Sequence, residues 1–164
     1  MRALILSPTD RRKVLIGKNI ALTIVALCFS TALLVINQLI FRDLTLGTLV
    51  FVALTFVIFA ALMSVIGNWL SIRFPKRMKF GKRMNVSGVV GLLLIPMMLV
   101  LALPPLGATA AGYITQSLAI EYVTLSAFAV VAIAFYLLSI DSQGESLQRR
   151  EVEILEAVRE PNDD

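Results

Sequence analysis

The sequence predicts an all-α membrane protein with about four transmembrane helices. Of its 164 residues, 58% are hydrophobic and 16% are charged, whereas roughly 25% of residues are charged in an ordinary soluble domain. The apolar residues form long uncharged stretches and do not recur at the spacing of one helix or strand face. Lipid is therefore the expected surroundings of most of the chain, and a soluble globular domain is excluded.

Several kinds of chemistry lack the side chains they need. The chain has one cysteine, Cys28, and no histidine, which leaves no intrachain disulfide, thiolate metal cluster or Ser-His-Asp triad. The Gly-Lys-Asn sequence at 17–19 lacks the upstream glycine and the Ser or Thr of a phosphate-binding loop. We therefore predict no enzyme activity, cofactor or metal here, and place any ATP hydrolysis on a separate subunit.

The uncharged stretches indicate the crossings, because about 20 helical residues span a hydrocarbon core of about 30 Å. The predicted spans are residues 19–41, 44–72, 86–103 and 122–140. The uncharged stretch 84–120 is too long for one crossing. We expect Pro104 and Pro105 to divide it, because a second proline cannot continue the helical hydrogen bonds. Residues 106–120 are then a re-entrant or interfacial segment in preference to a fifth span.

The basic residues indicate how the spans are oriented. All but one of the 15 Lys and Arg residues fall on one side of the four-span arrangement, and Arg42 is the exception. Cytoplasmic segments of membrane proteins carry this excess of positive charge. We therefore expect both termini in the cytoplasm. Topology and anionic lipid headgroups also explain the basic loop 73–83, so no nucleic-acid partner is expected.

The cytoplasmic segment before the first span, residues 1–18, has the pattern of an amphipathic helix start. Ser7 is the expected N-cap, Pro8 the first helical residue, and Asp10 the side chain that reaches back to the cap. This helix would lead into the membrane domain, which we place at residues 19–140.

The cytoplasmic tail, residues 141–164, begins with a similar pattern, Ser-Gln-Gly-Glu from Ser142. The pattern predicts a new amphipathic helix, with its apolar side chains within about 100° of one another on a helical wheel. This tail helix is either solvated or docked on a protein partner.

Small and polar residues within the spans indicate helix packing more than chemistry. Three of them recur at four-residue spacing in the second span, and two glycines lie early in the third: Ala60, Ser64, Asn68, Gly88 and Gly91. Such residues let helices approach closely and form hydrogen bonds with one another.

Three polar residues are candidates for a substrate path or a proton site: Asn37, Gln116 and Glu121. Intramembrane acids usually have a function. Glu121, however, is predicted at the outer membrane boundary, which favours a headgroup-level charge over a proton carrier. A small proton-coupled exporter is a further hypothesis that depends on this residue.

Three segments of the sequence resemble segments of one known family of membrane proteins. The first, Leu-Ile-Leu-Ser-Pro-Thr-Asp-Arg-Arg-Lys at 4–13 followed by Leu-Ile-Gly-Lys-Asn at 15–19, is similar to the segment near the ATPase-facing coupling region of type 2 ABC transporter permeases of bacteria. The second, Asn-Trp-Leu-Ser-Ile-Arg-Phe-Pro-Lys-Arg-Met at 68–78, looks like the family's block at the cytoplasmic end of a span. The third, Leu-Gln-Arg-Arg-Glu-Val-Glu-Ile-Leu-Glu at 147–156, looks like its C-terminal tail.

The resemblance implies a permease subunit in the bacterial inner (plasma) membrane. A separate ABC ATPase would drive it by closing on ATP and switching the bundle between inward and outward access. It assigns coupling to the ATPase to four residues: Ser7, Arg11, Arg12 and Lys18. Such permeases usually have six spans, and this chain resembles the later four. Either a second permease chain or a homodimer supplies the missing spans, or the chain is a truncated permease paralogue. The rival interpretation is a non-transporting membrane protein that acts as an assembly or regulatory subunit.

Overall fold

Four long α-helices make up the described chain. A computed structural model describes residues 10–42, 44–73 and 88–150, with side chains from residue 95 onward in the last range. The helices are α1 (Arg11–Phe41), α2 (Leu46–Arg73), α3 (Gly88–Thr115) and α4 (Leu118–Arg149). Each contains a stretch long and apolar enough to cross a membrane. The prediction of an all-α chain with four candidate spans is therefore confirmed for the described residues.

Helix α1 begins at a side-chain cap. The carboxylate of Asp10 accepts a hydrogen bond from the backbone N–H of Arg12 at 3.0 Å, which satisfies one of the free amides at the helix start. Asp10 is therefore the N-cap of α1, and its predicted role as the third residue after a Ser7 cap is wrong. Ser7 itself lies outside the described residues.

Two short connections turn the chain back on itself. After α1, Arg42 adopts the left-handed conformation with φ 56°, and its N–H donates to the Gln38 carbonyl. The side-chain oxygen of Gln38 then accepts from the N–H of Leu44 at 3.0 Å. After α3, Gln116 has a similar φ of 52°. Such tight connections favour antiparallel neighbours.

Helix α4 lies at the centre of the bundle and contacts the other three helices. It runs parallel to α2, because Tyr122 lies near Gly47 at the start of both helices and Gln143 bonds Asn68 near their ends. The central cluster of the core contains five side chains that are at most 5% exposed: Ile58, Ala108, Leu125, Ala129 and Ala132. Three helices contribute to this core, and the small residues among them allow close packing.

Helix α3 continues through Pro104 and Pro105, so the prediction that this pair ends the third span is wrong. Each proline removes one backbone donor. In a bilayer, however, a continuous helix leaves fewer backbone groups unsatisfied than a break in the chain would. Packing also holds the helix beyond the prolines, since Ala108 is fully buried. Residues 106–115 are the last turns of α3, and a separate re-entrant segment over 106–120 is not confirmed.

Helix α4 passes through Ser142 without interruption and ends at Arg149, so the predicted start of a separate tail helix is wrong. The reason is packing at Gly144, which is buried against α1. A Cβ added there would lie 3.4 Å from the backbone nitrogen of Arg12. This stretch therefore belongs to the bundle, and the predicted tail beyond it, residues 151–164, lies outside the described residues.

Candidate functional site

Polar contacts are concentrated at the end of the bundle where α1 begins and where α2 and α4 end. We call this the basic end. Its described cations are Arg11, Arg12, Lys13, Lys18, Arg73, Arg149 and Arg150. Its described acids are Asp10, Asp141 and Glu145. The described part of this end therefore carries a net positive charge.

Lys18 connects α1 to α2 at the basic end. Its Nζ donates to Ser71 Oγ at 3.0 Å and to Asn68 Oδ1 at 3.4 Å. Asn68 is completely buried, and its amide donates to Gln143 Oε1 of α4 at 3.2 Å. The Gln143 amide donates to the Val65 carbonyl at 2.9 Å. These four side chains form one hydrogen-bonded chain across three helices, which we call the Lys18 network.

Two further contacts join α1 directly to α4. Arg12 Nε lies 3.0 Å from Asp141 Oδ1, and both side chains are about half exposed. Such an ion pair contributes about 1 kcal/mol or less. Asn19 is buried, and its amide donates to the Tyr136 hydroxyl at 3.3 Å. The first turns of α1 are therefore fixed to the bundle mainly by buried contacts.

Beyond Asn19, α1 is mostly exposed. Phe29 is 70% exposed and Leu39 is 72% exposed. An open groove separates this part of α1 from α2, and its lining residues are Ser30, Leu33, Leu34, Ile36, Asn37, Ile40, Phe41 and Val52. In a membrane this surface faces lipid or the apolar face of another helix.

The structure places three of the four predicted coupling residues at the basic end. Arg12 pairs with Asp141 and Lys18 belongs to the Lys18 network. Arg11 is half-buried in the first turn of α1. The partners of Arg12 and Lys18 within the chain were not indicated by the sequence.

The predicted packing residues form different hydrogen bonds. Asn68 bonds α1 and α4, whereas Ser64 donates to the carbonyl of Ala60 in its own helix, at 2.7 Å. Gly88 and Gly91 lie in the first turns of α3, for which the structure describes the backbone helix but not the side chains.

The predicted path residues lie towards the opposite end of the bundle. Asn37 lines the groove between α1 and α2. Gln116 is exposed in the turn after α3, and its amide donates to the Tyr113 carbonyl at 2.7 Å. Glu121 is half-buried against Gly112. Within the described chain, no hydrogen bond joins these three predicted residues to one another.

Sequence reasoning missed Gln143 as the partner of Asn68 and Tyr136 as the partner of Asn19. It assigned Gln143 to the cytoplasmic tail, either solvated or docked on a protein partner, and it counted Tyr136 with the apolar residues of the last span. Tyr136 and Gln143 are seven residues apart, and residues two turns apart lie on the same helix face. This spacing could have indicated that both side chains face the same neighbouring helices.

The basic end supplies fixed hydrogen bonds and positive charge. Among the residues that the structure describes, no cluster of three His, Cys, Asp or Glu side chains could hold a metal ion. The arrangement can transmit a displacement of α1 to α2 and α4, and it can attract an anion. Comparisons with protein-family models, curated proteins and solved structures gave no match for this chain.

Proposed function

We propose that this chain is the membrane-spanning permease subunit, or a partial permease, of an ATP-driven ABC transporter whose ATPase is a separate chain. The Lys18 network is the observation that supports this proposal best. It links the first turns of α1 to Asn68 of α2 and Gln143 of α4. The sequence leading into those turns is the one that resembles the family's ATPase-facing region.

The proposed mechanism is mechanical coupling. An ATPase that closes on ATP displaces the start of α1, and the Lys18 network carries that displacement to the ends of α2 and α4. Packed helices respond by changing between discrete arrangements, which is how a bundle switches access from one side to the other. The exposed face of α1 beyond Asn19 suits contact with a second permease chain or a second copy, which would supply further spans.

The proposed location is the bacterial inner membrane, with the basic end in the cytoplasm. Thr45 and Ser146 are both exposed, at opposite ends of the bundle. Each is replaced by cysteine in a Cys28→Ser background, since Cys28 is free and exposed. A membrane-impermeant thiol reagent added to intact spheroplasts should label Thr45→Cys and spare Ser146→Cys until lysis. Labelling of Ser146→Cys before lysis would overturn this orientation.

A charge exchange tests the coupling role of Arg12. Arg12→Glu alone repels Asp141, whereas Arg12→Glu with Asp141→Arg restores an intrachain pair of opposite polarity. If Arg12 contacts the ATPase, both variants should lose the co-purification of an ABC ATPase encoded beside this chain. We expect a loss of about fivefold, since a contact between exposed charges is worth about 1 kcal/mol.

The matched control is the same exchange at Glu145 and Arg149, an exposed pair 3.7 Å apart on α4. It should leave co-purification unchanged. If Arg12→Glu loses co-purification of the ATPase and the exchange of Arg12 and Asp141 regains it, then Arg12 acts within the bundle and not on the ATPase. If no ABC ATPase co-purifies with the wild type, the permease proposal fails.

The second candidate is a non-transporting assembly or regulatory subunit. It is favoured by the apolar centre of the described bundle, where Ile58, Ala108 and Leu125 are each 0% exposed. Such a subunit would use its helices only for packing, and it would keep its membrane partner when ATP is removed. Co-purification of an integral membrane partner without any ATPase is the result that selects this function.

A further inference from the structure

We propose that the Lys18 ammonium is a binding site for the phosphate of an anionic lipid headgroup. The site lies at the basic end, between α1 and α2. It is independent of the proposed transport function and requires only that the apolar helices span a bilayer.

Lys18 has a charge that the described chain does not neutralise. Its two described partners, Ser71 and Asn68, are neutral, and no described carboxylate lies within 4.0 Å of its Nζ. The two nearby acids of α4 have other partners, since Asp141 pairs with Arg12 and Glu145 with Arg149. A half-buried ammonium is best stabilised by an anionic partner. Lys has three N–H donors, so one remains for a phosphate oxygen.

The depth of Lys18 suits a lipid phosphate. Lys18 and Arg42 lie on or directly after one continuous helix, about 36 Å apart at 1.5 Å per residue. The hydrocarbon core is about 30 Å thick, so both cations reach the headgroup levels. Trp69 follows Asn68 directly and is 43% exposed, and tryptophan is enriched at membrane–water interfaces. Two helices therefore place the Lys18 network at the level of the phosphates.

The surface beside Lys18 favours a lipid over a free phosphate ion. Leu22 and Val25 lie four and seven residues further along α1, on the same helix face. They are 59% and 53% exposed. A phosphate held by Lys18 thus leaves its acyl chains against apolar side chains. Basic sites between transmembrane helices commonly hold anionic headgroups.

Trp69 is the only tryptophan of the chain, so its fluorescence reports lipid near the site. The full chain is reconstituted in phosphatidylcholine vesicles. Two samples are compared, in which the same minor fraction of the lipid carries bromine on its acyl chains. The brominated lipid is phosphatidylglycerol in one sample and phosphatidylcholine in the other, and bromine quenches tryptophan fluorescence. We expect the brominated phosphatidylglycerol to be preferred about fivefold near Trp69, because direct contact between one ammonium and an anionic headgroup changes lipid affinity by about that factor.

Lys18→Gln removes the charge and keeps hydrogen-bond donors for Ser71 and Asn68. It should abolish the preference for phosphatidylglycerol. The matched control is Lys13→Gln, which removes the same charge from an exposed position of α1 and should retain the preference. Inorganic phosphate added at constant ionic strength should not compete.

Three results would each overturn the proposal. Equal quenching by the two brominated lipids in the wild type would overturn the proposal. This result needs no variant, so it holds even if Lys18→Gln fails to insert. If Lys13→Gln and Lys18→Gln lose the preference for phosphatidylglycerol equally, the preference comes from general surface charge and not from a site at Lys18. Competition by inorganic phosphate shows that the ligand is a free phosphate and not a lipid.

Discussion

Leu125→Ala is expected to lower the free energy of unfolding by about 2 to 5 kcal/mol. Leu125 is 0% exposed and lies in the core of the bundle with Ile58 and Ala108. Residues from three helices surround the site, so the backbone cannot collapse fully into the space that the truncated side chain leaves. The cost therefore includes both the lost contacts and the remaining cavity. The measurement is reversible unfolding in mixed micelles, followed by circular dichroism as the fraction of denaturing detergent rises.

The control is Leu138→Ala on the same helix. Leu138 is 77% exposed, so the same chemical change removes contact with lipid or detergent and leaves no cavity. Its expected effect is within about 0.5 kcal/mol. Similar effects of the two substitutions would contradict the position of the core.

The four helices could be predicted because their signal is local. In lipid, a long uncharged segment must form the hydrogen bonds of its backbone within itself, and the α-helix does this. The breaks between helices were less predictable. Pro104 and Pro105 remove helical hydrogen bonds, yet the segment beyond them is held by burial of Ala108. Burial depends on α4, and the local sequence of α3 does not encode it.

The candidate site was predictable only in part. The sequence assigned Lys18 to coupling and Asn68 to packing, but it did not pair them. They are far apart in sequence, and their contact depends on how α1 and α2 lie against each other. Gln143 was missed because the Ser-Gln-Gly-Glu pattern from Ser142 predicted the start of a new helix beyond the last span. Gly144, within that pattern, is instead buried against Arg12 and has a packing role.

Gly112→Ala is expected to destabilise the bundle although alanine is the better helix former. A Cβ at position 112 of α3 would lie 2.7 Å from the Cβ of Glu121 in α4 and 3.1 Å from its Oε2. The carboxylate can rotate away, but the Cβ of Glu121 is fixed to the backbone. Relief therefore requires the two helices to separate, and the tight turn at Gln116 limits that movement. Overpacking of this kind costs about 1 to 3 kcal/mol, which exceeds the gain of about 1 kcal/mol from helix propensity.

Gly67→Ala is the matched substitution, because Gly67 lies within α2 and nothing lies within 4 Å of its added Cβ. It should raise the free energy of unfolding by up to about 1 kcal/mol, through helix propensity alone. The two glycine-to-alanine substitutions should therefore change the free energy of unfolding in opposite directions, in the same unfolding measurement. Stabilisation by both would mean that α3 and α4 do not approach closely at Gly112, and the position of Glu121 beside that glycine would be wrong.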